Sequence, residues 1–269
     1  MTREEMMAGL REFAGSIAVV ISSCDAFFDC WRPFAFFFRK FWPACPFPVY
    51  LIVNQLRISS DIIQAIPVGE DRGWASNMKL ALQTLDVSHL LYFQEDYFLN
   101  APVQGEQLAA DFAYAFENET DAFCFRARSD LDAGFQPIND RFGIVPRSSD
   151  GRTRCQVTLW KRESLLSVLR DGEDAWAMEA KGSERTREML AVSYSTRESA
   201  PVPYLMSGIV RGLWTPDALR MCAHNGVTIT PHFRSAYSES SLLRKFGHVS
   251  TRLRLPGELS RARQGSVLL

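Results

Sequence analysis

Hydrophobic positions in the first half of the chain form short continuous runs that alternate with longer segments in which they recur every three or four residues. Short apolar runs are typical of buried strands, and the wider spacing is typical of helices that pack on one side. The runs predict strands at 17–22, 49–53, 62–68, 90–93, 122–126 and 155–160. The helical spacing predicts helices at 30–41, 74–85, 104–116 and 163–170. This alternation indicates an α/β fold with a mostly parallel central sheet and helices on both faces.

The second half of the chain is less regular. Residues 129–154 are rich in Asp, Gly, Pro and Arg and predict a long loop, and loops of this length usually have a function. A helix over 173–188 is expected to be interrupted at Gly182-Ser183, and 204–210 and 216–223 are expected to form a late strand and a short helix. We expect one domain over 1–240, followed by a basic tail over 241–269.

Composition narrows the class of protein. A hydrophobic content of 46% with 23% charged residues is ordinary for a soluble globular enzyme. The net charge of −1 argues against nucleic-acid binding. The six cysteines include no Cys-x-x-Cys pair, and we find neither a signal-peptide pattern nor an apolar run of membrane-spanning length, so we expect a cytoplasmic protein with free thiols.

The tail is the exception to this balanced charge. Between 244 and 263 it holds six basic residues against the single acid Glu258. A solvated terminus is one explanation, and peripheral contact with a membrane surface is the other.

The predicted strand at 90–93 ends abruptly in two adjacent carboxylates, Glu95 and Asp96. Such a pair at the end of a buried strand is costly unless a metal ion or a hydroxyl-rich ligand uses the negative charge. Ligands of open α/β sheets bind at the carboxyl ends of the strands. The sequence therefore predicts a site here, with an ion pair to a nearby arginine as the alternative for Glu95 and the capping of a turn as the alternative for Asp96.

The order of these elements resembles the GT-A fold, the Rossmann-like fold of nucleotide-sugar glycosyltransferases. The resemblance rests on the order of four features. These are a first strand and turn that end in Asp25, a second strand that ends in a polar residue, a helix that carries Trp74 and Asn77, and a strand that ends in the two acids. The segments 91–99, 158–160 and 176–179, followed by Gly182-Ser183, are similar to a bacterial group of glycosyltransferases linked to surface-polysaccharide assembly.

The resemblance implies a hexosyltransferase-like enzyme that moves a sugar from a nucleoside-diphosphate donor to a glycan or a lipid-linked acceptor. It implies a nucleotide-binding half at about 16–128 and an acceptor half at about 129–240. Glu95 and Asp96, with His232 as a third ligand, would hold Mn²⁺ or Mg²⁺. Gln94-Glu95-Asp96 departs from the Asp-x-Asp motif of the family, which leaves the need for a metal open.

The same resemblance assigns roles to further residues. Glu179 is the preferred catalytic base and Glu173 the second choice, with Trp176 as a wall of the sugar pocket. The donor would be bound by Ser23, Asp25, Asn54, Trp74, Asn77 and Arg126, with Arg128 beside the last of these. Structural explanations compete with these roles, such as helix capping for Asp25, core packing for Trp74 and a favourable position in the first turn of a helix for Glu173.

Two other functions remain open. A sugar-nucleotidyltransferase shares the order of the sheet but normally carries a Gly-rich loop with Lys or Arg after its first strand, and residues 22–26 lack both features. A non-catalytic scaffold with the same fold is the second alternative, because of the departure from Asp-x-Asp. The chain has no Walker loop, no Gly-x-Gly-x-x-Gly and no Gly-x-Ser-x-Gly motif.

Overall fold

The computed structural model describes residues 9–126, 134–195, 200–230 and 232–269. Thirteen strands are found in this part of the chain, and nine of them form one sheet in the order β4-β2-β1-β5-β9-β6-β10-β8-β7. The strands are β1 Ile17–Ser22, β2 Val49–Val53, β3 Ile58–Ser59, β4 Gln64–Pro67, β5 His89–Gln94, β6 Ala122–Cys124, β7 Gln136–Pro137, β8 Phe142–Ile144, β9 Thr158–Lys161, β10 Ala191–Tyr194, β11 Ile209–Val210, β12 Leu213–Trp214 and β13 Val267–Leu268.

The large sheet is mostly parallel. The four strands β4, β2, β1 and β5 are joined by parallel pairings, and across the rest of the sheet only β9 and β8 run in the opposite direction. β1 is buried along its whole length, as expected for a central strand covered on both faces. The predicted α/β class is confirmed.

Helices cover both faces of the sheet. They are α1 Phe28–Phe41, α2 Trp74–Gln83, α3 Gly105–Glu117, α4 Arg162–Val168, α5 Ala175–Arg185, α6 Pro216–His224 and α7 Ser241–Ala262. Alternate residues of β1 point to opposite faces, so that Val19 packs in the core with α1, α3 and α6, while Val20 packs in the core with α2, α4 and α5.

The start of α1 differs from the prediction. The helix begins at Phe28, directly after a 3₁₀ turn over Asp25–Phe27, and not at residue 30. Asp29 lies inside the first turn because its carboxylate accepts hydrogen bonds from distant side chains instead of from the helix terminus. Pro33 lies in the second turn of the helix.

The expected C-terminal tail is an ordered element. Residues 241–262 form α7, and Val267–Leu268 pairs in parallel with β3. Gly247 allows α7 to pack closely, since a Cβ at this position would lie 3.3 Å from Ser235 and 3.4 Å from Leu213. Thr251 Oγ1 accepts a hydrogen bond from Ser235 N at 3.1 Å. Of the helices that the structure describes, none combines the length and the apolar character that crossing a bilayer requires.

The segment expected to be a long loop also contains short strands. β7 and β8 pair with each other, and β8 pairs with β10, so the sheet extends through part of 129–154. Residues 127–133 lie outside the described residues. The predicted strand over 204–210 is reduced to β11 and an isolated bridge between Tyr204 and Leu99.

Candidate functional site

A cavity of about 520 Å³ opens at the carboxyl end of β5. Its volume lies within the usual range of small-molecule sites. Its walls come from the chain after β5, the segment before β9, the start of α5, and the β11–β12 hairpin with the residues before it. The lining residues are Phe27, Gln94, Glu95, Asp96, Tyr97, Cys155, Gln156, Ala175, Trp176, Glu179, Met206, Ser207, Ile209, Val210, Arg211 and Gly212.

Four of the residues predicted from sequence are brought together in this cavity: Glu95, Asp96, Trp176 and Glu179. The first two follow β5 where the chain turns, and the last two lie on α5, some 80 residues later. The cavity therefore joins the predicted metal and diphosphate site to the predicted acceptor site.

Only one of the two carboxylate oxygens of Asp96 has a hydrogen-bond partner among the described residues. Its Oδ2 accepts a hydrogen bond from Ile209 N at 2.9 Å, while Oδ1 is buried and has no partner among the described residues. The carboxylate of Glu95 lines the cavity beside it. A buried acceptor without a donor is costly, so Asp96 Oδ1 is available for a ligand.

Burial also changes the proton affinity of the two acids. It raises the pKa of Asp96 to about 6. Burial, followed by repulsion from Asp96, raises the pKa of Glu95 well above its usual value. Two adjacent carboxyl groups with raised pKa values form an electrostatic environment that favours a cation.

The reversed direction of β9 places its beginning beside the end of β5. Gln94 Nε2 and Tyr97 Oη donate hydrogen bonds to the carbonyl oxygen of Cys155, at 3.2 and 2.7 Å. The amide of the same residue donates to Glu179 Oε1 at 2.7 Å. One peptide segment therefore connects the strand that carries the acid pair to the helix that carries Glu179.

α5 presents one face of its first two turns to the cavity. The side chain of Asp174 caps the helix by accepting a hydrogen bond from Ala177 N at 2.7 Å. Trp176 is 77% exposed and Glu179 follows it at a spacing of three residues, on nearly the same face. Burial raises the pKa of Glu179, which favours a carboxylate that can accept a proton.

The predicted interruption of this helix at Gly182-Ser183 was wrong. α5 continues through both residues because Gly182 lies directly against Thr153, where a Cβ would come within 2.5 Å of Oγ1. The glycine therefore serves close packing one turn after Glu179 and does not end the helix.

Glu173 lies outside the cavity lining. Its carboxylate forms two hydrogen bonds with Arg185, at 3.0 and 2.7 Å, and this pairing lowers its pKa. A carboxylate held in this way is a weaker base than Glu179. These contacts give Glu173 a structural role. Its predicted role as the alternative catalytic base remains a prediction.

The residues after β1 and β2 hold each other in place. Asp25 Oδ1 accepts from Asn54 N, Oδ2 accepts from the amides of Gln55 and Leu56, and Asn54 Oδ1 accepts from Asp25 N, all at 2.8–3.0 Å. Ser23 Oγ accepts from the indole of Trp31 at 2.7 Å. These contacts lock the ends of the two strands together, and none of the three predicted donor-binding residues lines the cavity.

The remaining predicted donor residues also have structural contacts. Trp74 packs edge-to-face on Tyr92, with ring centroids 6.5 Å apart. Asn77 is buried and organises the preceding loop by donating to Asp71 at 2.8 Å. Arg126 lines a separate cavity of about 190 Å³, and Arg128 lies outside the described residues.

His232 is exposed and does not line the cavity with the acid pair. Among the described residues, no group of three or more His, Cys, Asp or Glu side chains is close enough to hold a metal ion. The adjacent carboxylates of Glu95 and Asp96 both line this cavity and offer oxygen ligands to a cation. Mg²⁺ is commonly bound by one or two carboxylates together with phosphate oxygens and water, so the acid pair fits a cation that arrives with a phosphorylated ligand.

Arg211 is a cavity residue that the sequence analysis missed. It forms the two-residue turn between β11 and β12 together with Gly212, and both residues have positive φ, 51° and 74°. Turns of this kind favour Asn or Gly in the first position, so an arginine there is unusual. The only sequence signal was the Arg-Gly pair between two short apolar segments.

Arg234 stabilises the β11–β12 hairpin on the side away from the cavity. Its guanidinium donates to the carbonyl oxygens of Gly212 and Ala26, at 3.0 and 2.7 Å, and forms an ion pair with Asp29. The rings of Phe27 and Phe233 lie within 5.2 Å of the guanidinium. These contacts fix the position of Arg211 at the mouth of the cavity.

Comparisons with known proteins give structural similarity alone. No protein-family model and no curated protein matches the chain. A crystal structure of S. aureus TarS residues 1–349 in complex with UDP-GlcNAc matches with a TM-score of 0.43 and 12% identity, over 70% of this chain and 57% of TarS. The galactosyltransferase LgtC in complex with donor and acceptor sugar analogues matches with a TM-score of 0.37 and 11% identity, over 90% of this chain and 95% of LgtC.

A third structure, A197 from STIV, matches with a TM-score of 0.37 and 15% identity, over 66% of this chain and 80% of A197. The chain spans less than three fifths of the TarS fragment that binds UDP-GlcNAc. Similarity at this level carries no argument about activity, so the function has to be argued from the cavity itself.

Proposed function

We propose that this protein is a glycosyltransferase that moves a sugar from a nucleoside-diphosphate donor to a hydroxyl of a glycan or lipid-linked acceptor. The observation that supports it most directly is the convergence of Glu95, Asp96 and Glu179 in one cavity with Arg211 and an exposed tryptophan. Transfer of a sugar requires neutralisation of a departing diphosphate and a carboxylate that accepts a proton, and the cavity offers groups for both tasks.

The donor diphosphate would lie between Arg211 and the acid pair. Arg211 would form charge-assisted hydrogen bonds to phosphate oxygens. Glu95 and Asp96 would hold Mg²⁺ or Mn²⁺, supported by the orphaned Oδ1 of Asp96. When bound, such a cation would neutralise charge on the diphosphate.

The acceptor would lie on the α5 side of the cavity. The indole of Trp176 offers an apolar face on which the flat side of a sugar ring can pack. Glu179 would accept the proton of the attacking hydroxyl through the oxygen that does not bind the amide of Cys155. The hydroxyl oxygen would then form the bond to the anomeric carbon while the bond to the diphosphate oxygen breaks, and the diphosphate would keep the electron pair.

Nucleotide binding tests the donor half of the proposal. We expect one of the nucleoside diphosphates UDP, GDP and ADP, tested with and without Mn²⁺ beside the monophosphate CMP, to raise the melting temperature, because a ligand of the folded state stabilises it by mass action. Absence of any shift with all four would contradict the proposal. Formation of a pyrophosphate bond from a sugar phosphate and a nucleoside triphosphate would indicate the nucleotidyltransferase alternative.

Glu179→Gln tests the acceptor half. The variant should bind the nucleotide as the wild type does but lose at least about a hundredfold in transfer rate, which is typical for removal of a general base. Glu184→Gln, at an exposed position on the same helix, should leave transfer unchanged. Transfer by Glu179→Gln at the wild-type rate would overturn the assignment of the base.

A further inference from the structure

Helix α7 exposes a continuous apolar stripe. Leu242, Phe246, Val249 and Leu253 follow one another at intervals of four, three and four residues, which places them on one face of the helix. Their exposed fractions lie between 55% and 77%. Such large apolar side chains in a row are costly in water and mark a surface that binds something.

Basic residues border this stripe on both sides. At 100° per residue, Lys245 and Arg252 fall on one edge of the stripe and Arg254 and Arg261 on the other. The only acid within the helix, Glu258, lies on the side that faces the protein and pairs with Arg261 at 2.5 Å. The exposed part of α7 is therefore apolar at its centre and positively charged at its edges.

We propose that α7 is an interfacial helix that docks this protein on an anionic lipid bilayer. The apolar stripe enters the boundary between headgroups and acyl chains, while the basic edges contact anionic headgroups. Long arginine and lysine side chains suit this position because their stems can lie along apolar surface and their charges can remain in water.

Charge argues against a second copy of the chain as the occupant of the stripe. Two such helices packed stripe against stripe would bring Lys245, Arg252 and Arg254 close to the same residues of the partner, and the exposed part of α7 offers no acid to pair with them. Like charges that face each other across an interface oppose association.

The helix is held firmly enough to act as a fixed docking surface. Its inner side packs through Gly247 against Leu213 of the β11–β12 hairpin, and the chain after it joins β3 through β13. This inference does not depend on the proposed enzymatic activity, since it rests on the surface of α7 alone.

Co-sedimentation with vesicles tests the proposal. The full chain should bind vesicles of phosphatidylcholine mixed with phosphatidylglycerol and should bind vesicles of pure phosphatidylcholine at least about tenfold more weakly. Phe246→Ser combined with Leu253→Ser should abolish most of the binding. Leu268→Ser, which changes an exposed leucine outside the helix, is the matched control and should bind as the wild type does.

The charge component has its own variant. Arg252→Gln combined with Arg254→Gln should weaken binding to the anionic vesicles roughly tenfold to thirtyfold. The control variant, Arg187→Gln combined with Arg220→Gln, removes two arginines outside α7 and should bind these vesicles as the wild type does. Melting curves identify variants that remain folded. Failure of the wild type to bind anionic vesicles would overturn the proposal, as would a stable dimer that is lost in the Phe246→Ser, Leu253→Ser variant.

Discussion

Arg234 and Asp29 form an ion pair in the interior of the protein, 205 positions apart in the chain. The Nε–Oδ2 distance is 2.9 Å, and the side chains are 4% and 0% exposed. Burial raises the pKa of the Asp29 carboxyl and the neighbouring guanidinium counteracts this shift. Because the same guanidinium also binds the carbonyl of Gly212, the pair links the start of α1 to the hairpin at the cavity.

Replacement of Arg234 by an uncharged residue should destabilise the protein strongly. Arg234→Met is expected to lower the free energy of unfolding by about 3–5 kcal/mol, because the Asp29 carboxylate would remain buried without its partner. Arg39→Met provides a control, since Arg39 pairs with Asp61 on the surface, and should cost less than about 1 kcal/mol. Urea denaturation of both variants measures the difference, and equal costs would contradict the assigned role of the buried pair.

Asp96→Asn should stabilise the protein at neutral pH while it weakens any cation-dependent ligand binding. The folded protein retains a proton on Asp96 that the unfolded chain releases between about pH 4 and 6, so the stability of the wild type falls as pH rises through this window. We expect the variant to gain roughly 1–3 kcal/mol above pH 6 and nothing below pH 4.

Unfolding at a series of pH values measures this gain. Asp86→Asn, at an exposed position, is the control and should change the free energy of unfolding by less than about 0.5 kcal/mol. A gain for Asp96→Asn that does not depend on pH would show that burial of the charge is not its cause.

Arg211→Asn should separate stability from binding. Asparagine adopts positive φ more readily than arginine, so the variant is expected to gain about 0.5–1 kcal/mol in stability. Loss of the guanidinium should weaken the binding of a nucleoside diphosphate about tenfold. Calorimetric titration measures the affinity, with Arg211→Lys as the variant that keeps the charge in the same turn. Unchanged affinity in Arg211→Asn would remove Arg211 from the proposed donor site.

Gly182→Ala tests the packing that supports Glu179. The added methyl group would meet Thr153 Oγ1 at 2.5 Å and push α5 away from the segment that leads into β9. We expect a loss of about 1–3 kcal/mol in stability and a lower transfer rate, although the residue does not line the cavity.

Gly257→Ala is the matched control within a helix, because its Cβ would meet no atom within 4 Å. It should gain about 0.5–1 kcal/mol from helix propensity and leave activity unchanged. Wild-type stability in Gly182→Ala would show that the helix can move without cost.

The parts of the fold that are determined by local burial could be predicted from the sequence. β1 and β2 have the predicted bounds, because a central strand in a parallel sheet is apolar on both faces. The acid pair at the end of β5 was predicted from a local pattern, whereas Glu179 was placed opposite it by the resemblance to the GT-A fold, and both line one cavity.

The parts that depend on distant partners could not be predicted. β7 and β8 are two and three residues long and exist because β10 pairs with β8. Arg211 reaches the cavity only because the hairpin folds back beside β5, which no local pattern indicates. The excess of basic residues over 244–263 predicted a tail, whereas these residues form α7, which packs on a hairpin distant in the sequence.

The peptide groups of Cys155 have a mechanical consequence for the cavity. Their hydrogen bonds to Gln94, Tyr97 and Glu179 join both carboxylate-bearing walls into one rigid frame, so the spacing between the acid pair and Glu179 should stay constant when substrates enter and leave. The hairpin of Arg211 is tied to the same frame through the hydrogen bond from Ile209 N to Asp96 Oδ2 and through Arg234, so we expect substrates to enter without a movement of this wall.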